Sequence, residues 1–430
     1  MRLNYRRTFL VGLAFLSISM FWVVYEAVIP LILRDSFGVG DTWSGVIMAA
    51  DNVLALFLLP FFGALSDRTS TRIGRRMPYI IVGTVSSAVM TVFLPIADNL
   101  RMFPFFAAAL CGVLLCMSIY RSPAVALMPD VTPAPLRSRG NAVINLMGTV
   151  GGMIALGLVA VLVPAQNPDY LPLFGCMAGL MLTSLAVMLL TVKEPKLRQA
   201  AIEQSRAAGL DMEEEKSEKQ EGAGTRLERG AQRSLIFILL SVFFWYFGYN
   251  AVTTAFSKYA QVVLGLEGGS FAYTMIVAQA AAVISFIPAG LIAARIGRKR
   301  TILAGVILLF TAFALAIGFK AFSGAVYGVF AMAGVGWAAI NVNSYPMVVE
   351  MSRGADIGKY TGYYYTFSML SQVLTPVVSG ALLQYVGYWT LFPYGALFVG
   401  LSFVTMLCVR HGDTKPAAVK KGLDAFEEMD

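Results

Sequence analysis

Three side chains carry charge where long apolar runs leave them no water. Glu26 lies in WVVYEAVIP, Arg121 in SIYRSPA and Asp51 in MAADNVLAL. A charge near the bilayer centre costs a few kcal/mol even on insertion scales, so such residues face a partner or a watery cavity. One arginine and one or two carboxylates in the same half of a chain suit proton coupling. A change in their separation alters the carboxylate's affinity for a proton. The plainer alternative is a permanent ion pair that holds the first and fourth apolar segments together. Glu26 and Arg121 lead this set. Asp51 comes third, because it also fits an outer vestibule. Asp130, at the end of the fourth segment, is expected to face water, and Lys258, near the outer end of the seventh, to snorkel.

The second half offers polarity without charge. Tyr246, Tyr249, Asn250, Thr253 and Ser257 recur at three- and four-residue steps, a stripe on one helical face. Trp337, Asn341 and Ser344 do likewise, with Tyr345 adjacent, and so do Ser368, Gln372, Thr375 and Ser379. Sugar hydroxyls call for amides and other convergent polar groups, while sugar C–H faces stack on Tyr or Trp. Hydrogen bonding between helices is the competing use, and it accounts for part of these residues.

The elements that must hold these groups are membrane helices. Of 430 residues, 57% are hydrophobic and 13% charged, about half the charge of a soluble domain. Twelve long apolar runs, from Thr8–Leu33 to Trp389–Val409, can be marked along the chain. Backbone groups find no water in hydrocarbon, so unalternating runs of this length must be helices. Arg2, Arg6 and Arg7 precede the first run as in a signal peptide, but the run continues to Leu33 without a small-residue cleavage site. It reads as a first membrane helix. The net charge of +8 reports loop bias, not nucleic-acid binding. Nearly all Lys and Arg fall at the termini and in every second loop; the opposite loops hold only Arg34, Arg101, Lys258 and Lys320. Both termini are therefore expected in the cytoplasm. Lys193–Arg233, with DMEEEKSEKQEGAG, reads as a solvated, mobile linker. The four cysteines lie inside apolar runs without metal or redox spacing and read as core residues. Gly148, Gly151 and Gly152 read as close helix packing. His411, beyond the last run, has no role, and Glu350 and Lys359 read as cytoplasmic contacts that match Asp130 and Arg139 in the repeat. No nucleotide-binding loop, metal cluster or catalytic triad is present, so an enzyme, a cofactor and an ATP-driven pump are not expected.

A basic hairpin follows the second run, GALSDRTSTRIGRRMP over Gly63–Pro78. A shortened copy, GLIAARIGRKR, follows the eighth at Gly290–Arg300. The second copy lacks Thr69–Arg72 and has Ala294 in place of Asp67. A motif used twice at about half the chain length marks a duplicated membrane protein. Six helices, a linker and six more, with this hairpin after the second and eighth, resemble the major facilitator superfamily. SDRTSTRIGRRMPYI and SPAVALMPDVTPAPLRSRGNAVINLMG are similar to the branch that holds sucrose transporters and glycoside–pentoside–hexuronide cation symporters.

The resemblance implies an all-α membrane fold of two six-helix bundles, residues 1–192 and 234–410, joined by a linker over 193–233 and followed by a tail over 411–430. It implies a conformational latch at Gly63, Asp67, Arg68, Gly74, Arg75 and Arg76. It also implies that helices 1, 4, 7 and 10 line a cavity, which favours Tyr25, Tyr120, Tyr246, Asn250, Trp337 and Asn341 as solute ligands, with Gln372 behind them. Sodium-using members of the branch carry an Asp pair on helix 2, where this chain has Ala55 and Leu59, so protons are the expected coupling ion. The function this implies is proton-coupled uptake of a sugar or glycoside by a monomer in the plasma (inner) membrane, with no cofactor and no nucleic-acid partner. The alternative is proton-antiport efflux of a small amphipathic compound. The 29 Phe and 21 Met weigh little for it, since most must face lipid or core.

Overall fold

The computed structural model describes residues 4–133, 136–166, 168–207, 229–349, 351 and 357–411. All regular structure among them is helical. The first six helices are α1 (Tyr5–Asp35), α2 (Asp41–Arg68), α3 (Met77–Asn99), α4 (Phe103–Val131), α5 (Arg137–Leu162) and α6 (Leu171–Thr191). After a shorter α7 (Glu194–Ala207) come α8 (Arg229–Val262), α9 (Phe271–Ile296), α10 (Arg298–Ala316), α11 (Ala325–Val349), α12 (Ile357–Tyr385) and α13 (Leu391–Leu407). Twelve are long and apolar enough to cross a membrane, and α7 is the exception. Local sequence sets several starts. Asn4 accepts the Arg7 N–H at 3.1 Å to cap α1. Pro78, Pro104 and Pro172 stand in the first turns of α3, α4 and α6, where a missing N–H costs nothing.

Contacts divide the chain into two compact units, Met1–Gly38 with Ala50–Glu215 and Glu267–Ala272, and Val39–Ala49 with Lys216–Leu266 and Tyr273–Asp430. In the first, α1 packs on α4, α5 and α6, and α3 on α4 and α6. In the second, α8 packs on α11, α12 and α13, and α10 on α11 and α13. The neighbour pattern is the same with each helix replaced by its counterpart, as the repeated hairpin led us to expect. Close packing of α1 and α5 depends on Gly151, where a Cβ would lie 2.1 Å from the Leu16 carbonyl oxygen; this is the packing use expected of that glycine run.

The units are not two uninterrupted stretches of sequence. The first turns of α2 belong to the second unit, where the Thr42 N–H donates to Gln384 Oε1 at 2.9 Å. Glu267–Ala272 belongs to the first, where the Gly269 N–H donates to the Val163 carbonyl at 3.1 Å.

Several expectations for single residues are corrected. Lys258 does not snorkel: it is 4% exposed, and its Nζ lies 2.6 Å from Asp41 Oδ1. Tyr388 donates its hydroxyl to the other Asp41 oxygen at 2.8 Å. Asp130 does not face water but is enclosed by arginines, described below. Linker residues 194–207 form a helix, because Glu194, Ala201 and Ser205 are buried along one side of it. Cys111, Cys176 and Cys408 are exposed and Cys116 is half-buried, so the cysteines lie on outward helix faces and not in the core. His411 takes part in a hydrogen bond with Ser234 at 2.9 Å. Residues 208–228 and Glu350 lie outside the described residues, as does the side chain of Lys359.

Candidate functional site

The deep charges converge in the first unit. Trp22, Tyr25 and Glu26 sit at i, i+3 and i+4 on α1, which places them together along one side. Arg121, on α4 two residues before Pro123, holds its guanidinium carbon 5.4 Å from the centre of the Trp22 ring, a cation–π geometry. The Trp22 and Tyr25 rings meet edge to face at 5.4 Å. Arg121 is within electrostatic reach of both Glu26 and Asp51, and Asp51 accepts from the Asn52 amide at 2.8 Å. No ion pair or hydrogen bond fixes Arg121 to either carboxylate among the described residues. The permanent α1–α4 ion pair is thus not made in this structure. Glu26, Asp51 and Arg121 are all half-buried and not sealed in packing. Trp22 Nε1 and the Tyr25 hydroxyl are buried without a hydrogen-bond partner, so polar capacity remains beside the charges.

Tyr25 and Tyr120 are 2% and 1% exposed. The Tyr120 hydroxyl donates to the Ala14 carbonyl at 2.9 Å and meets Ser17 Oγ, which ties α4 to α1.

In the second unit the polar stripes of α8 and α11 form an aromatic group. The Tyr249 and Trp337 rings are stacked, 3.7 Å between centres and 3° from parallel. Tyr246 meets Trp337 edge-on at 5.2 Å. Sequence reasoning missed the next members, Tyr364 and Tyr365 on α12. The Tyr364 hydroxyl lies 2.9 Å from Ser344 Oγ and 3.4 Å from the Tyr246 hydroxyl, and Tyr345 packs against both tyrosine rings. The run TGYYYTFS was the available signal. Asn250 Nδ2 is buried without a partner, and Asn341 is exposed. Gln372 donates to the Ser368 carbonyl at 3.2 Å, so the α12 stripe is largely satisfied by its own backbone.

The hairpin after α2 is knit by charge. Asp130 Oδ2 accepts from Arg75 Nε at 3.1 Å and from Arg76 Nε at 2.9 Å. Arg76 also binds Asp67, Ser66 and the Gly63 carbonyl, and Arg75 Nη1 lies 3.7 Å from Asp67. Gly63, Asp67, Arg75 and Arg76, four of the six hairpin positions singled out in the sequence, are therefore brought together, while Arg68 makes no ion pair or hydrogen bond among the described residues. A second partner was not foreseen. Glu194, 1% exposed, accepts the N–H groups of Arg75 at 2.8 Å, Arg76 at 3.1 Å and Met77 at 2.9 Å. These are orphan donors at the start of α3, where a carboxylate is favoured by the helix dipole. Gly74 has φ +123°, and a Cβ there would lie 2.1 Å from Glu194 Oε2, so turn and cap both require glycine. Glu194→Ala is expected to leave three amides unsatisfied and to lower the thermal midpoint of the purified chain, at about 1–3 kcal/mol for a buried hydrogen-bonding group.

A family model described as "MFS/sugar transport protein" matches residues 10–409. The chain belongs to this family. It is therefore a transporter of small solutes in the major facilitator superfamily, whose members are not enzymes. The uncharacterized symporter sll1374 of Synechocystis sp. is 26% identical over 147 residues, covering 32% of this chain and 27% of that protein. The match thus spans about a quarter of the relative's length. Among solved structures, a POT family transporter in complex with 5-aminolevulinic acid has a TM-score of 0.70 at 11% identity, covering 94% of this chain and 95% of its own. The xylose transporter XylE from E. coli gives 0.67 at 14%, covering 93% and 95%. The nucleoside transporter NupG gives 0.63 at 15%, covering 95% and 98%. These likenesses establish the fold.

Proposed function

We propose that the chain is a proton-coupled symporter of a sugar or glycoside that works by alternating access. The observation that carries this reading is the cluster of Glu26, Asp51 and Arg121 beside Trp22 and Tyr25, charged groups in reach of one another and without a locked ion pair. Glu26 takes up the coupling proton, Arg121 supplies the countercharge while Glu26 is ionised, and Asp51 is the second carboxylate that senses the exchange. The α8–α11 aromatic group, with Trp337 and Tyr249 stacked and Asn250 carrying an unused donor, holds the solute by stacking and hydrogen bonding. The family description, the symporter named among the relatives and the xylose transporter among the structural neighbours agree with this assignment. The protein acts as a monomer in the plasma (inner) membrane with both termini cytoplasmic, as the Lys and Arg distribution favours.

In proteoliposomes, an inward pH gradient is expected to drive accumulation of a labelled disaccharide. The second reading, antiport efflux of an amphipathic compound, draws on the uncharged Tyr and Trp of the second unit. Dye extrusion driven by an opposite gradient, with no disaccharide uptake, would replace symport by that reading. Trp337→Ala should raise the solute KM about tenfold while changing turnover little, because ring stacking that holds ground and transition states equally is worth about 1.4 kcal/mol. Asp67→Asn should lower turnover several-fold with normal membrane insertion, since the latch loses its acid while the topogenic arginines remain. Unchanged turnover would reduce the hairpin to a topology signal.

A further inference from the structure

A cavity of about 530 Å3 opens in the first unit, between the α2–α3 hairpin and α7. Among the described residues, two of the four arginines in its lining make no ion pair within the protein. Each acid on its wall is engaged: Asp67 by Arg75 and Arg76, Glu194 by three backbone amides and Glu203 by the Gln199 amide at 3.2 Å. Arg75 spends its own charge on Asp130. Arg68, from the end of α2, and Arg198, from α7, make no ion pair or hydrogen bond among the described residues, and both line the cavity.

The shape of α7 explains why these groups face the opening. Ala201 and Ser205, one turn apart, are buried at 2% and 0%, while Arg198, Ile202 and Arg206 repeat every turn along the cavity side. The helix is a strap with one packed side and one basic side. The cavity falls in the size range of small-ligand sites, about 300–1,000 Å3.

We propose that this cavity binds a phosphate monoester, held between Arg68 and Arg198. A phosphate monoester offers three strong acceptor oxygens to share between the two guanidiniums, against a carboxylate's two. Arginine also meets phosphate oxygens with two parallel N–H donors. The bound group bridges the hairpin to α7 and restrains the latch against the strap. The group is either that of a soluble ester or that of a lipid headgroup, and the test separates these sources. The proposal stands on the cavity alone and is read without any transport assay.

The test uses the full chain in phosphatidylcholine nanodiscs, followed by thermal unfolding. One arm titrates glucose 6-phosphate and inorganic phosphate against potassium chloride at equal ionic strength, which removes general salt screening. The other arm adds phosphatidic acid to the disc lipid. A saturable rise in the unfolding midpoint is expected in at least one arm. A rise with soluble phosphate identifies a cytosolic ester; a rise with phosphatidic acid alone identifies a lipid. Arg198→Gln should weaken the apparent affinity at least about tenfold, the scale of one charge-assisted hydrogen bond. Arg72→Gln should leave it unchanged, since this neighbouring arginine is exposed and does not line the cavity. No saturable shift in either arm would overturn the proposal, and so would equal weakening by Arg72→Gln and Arg198→Gln.

Discussion

Glu26→Gln is expected to abolish uphill accumulation of solute under a pH gradient and to spare solute exchange. The argument rests on where the residue stands. Glu26 is half-buried on α1, within reach of Arg121 and Asp51, and a charge inside a membrane helix is costly unless it has a partner or a watery path. Glutamine keeps the shape and the hydrogen-bonding capacity but has no proton to exchange. One proton coupled to each solute supports about tenfold accumulation per unit of pH, because one unit is 1.36 kcal/mol. Without coupling, the ratio of internal to external solute falls to about one. Exchange persists because it requires solute binding and the conformational cycle but no net proton movement. Measuring labelled-disaccharide accumulation and counterflow on one preparation separates these effects. A variant that still accumulates solute uphill would remove Glu26 from the coupling role.

Lys258→Met is expected to be the most destabilising single change in the second unit. Lys258 and Asp41 are both buried, with Nζ and Oδ1 at 2.6 Å and Tyr388 on the remaining carboxylate oxygen. Removing one partner strands the other charge in a dry site, which costs about 3–5 kcal/mol. The double change Asp41→Asn with Lys258→Met leaves no stranded charge and should recover most of that loss. The thermal midpoint of the purified chain in detergent should therefore fall by several degrees in the single variant and by much less in the double. A double variant as unstable as the single would show that side-chain packing, and not charge pairing, holds this corner.

The deep charges and the hairpin were legible because each breaks a strong local rule. Glu26 and Arg121 interrupt apolar runs, and the hairpin recurs at half the chain length. Asp41 and Lys258 break no such rule. An acid at a helix start and a lysine near a helix end look ordinary, and their meeting depends on the first turns of α2 packing in the second unit. Glu194 was hidden in the same way, since a glutamate opening a charged linker looks solvated until the α3 amides are seen around it. Tyr364 and Tyr365 lie outside α8 and α11, the helices expected to line the cavity, and the observed group reaches α12. The cysteines misled for another reason. A helix in a membrane can turn small apolar residues outward, so an apolar neighbourhood in sequence does not imply burial.

The most direct test follows protons rather than solute. With a pH dye trapped in proteoliposomes and no imposed gradient, adding disaccharide outside should acidify the lumen of vesicles that hold the wild-type chain. Vesicles that hold Glu26→Gln should show no acidification while still exchanging solute. Disaccharide entry through the wild-type chain without any lumenal acidification would contradict the account, as would an unchanged proton signal in Glu26→Gln.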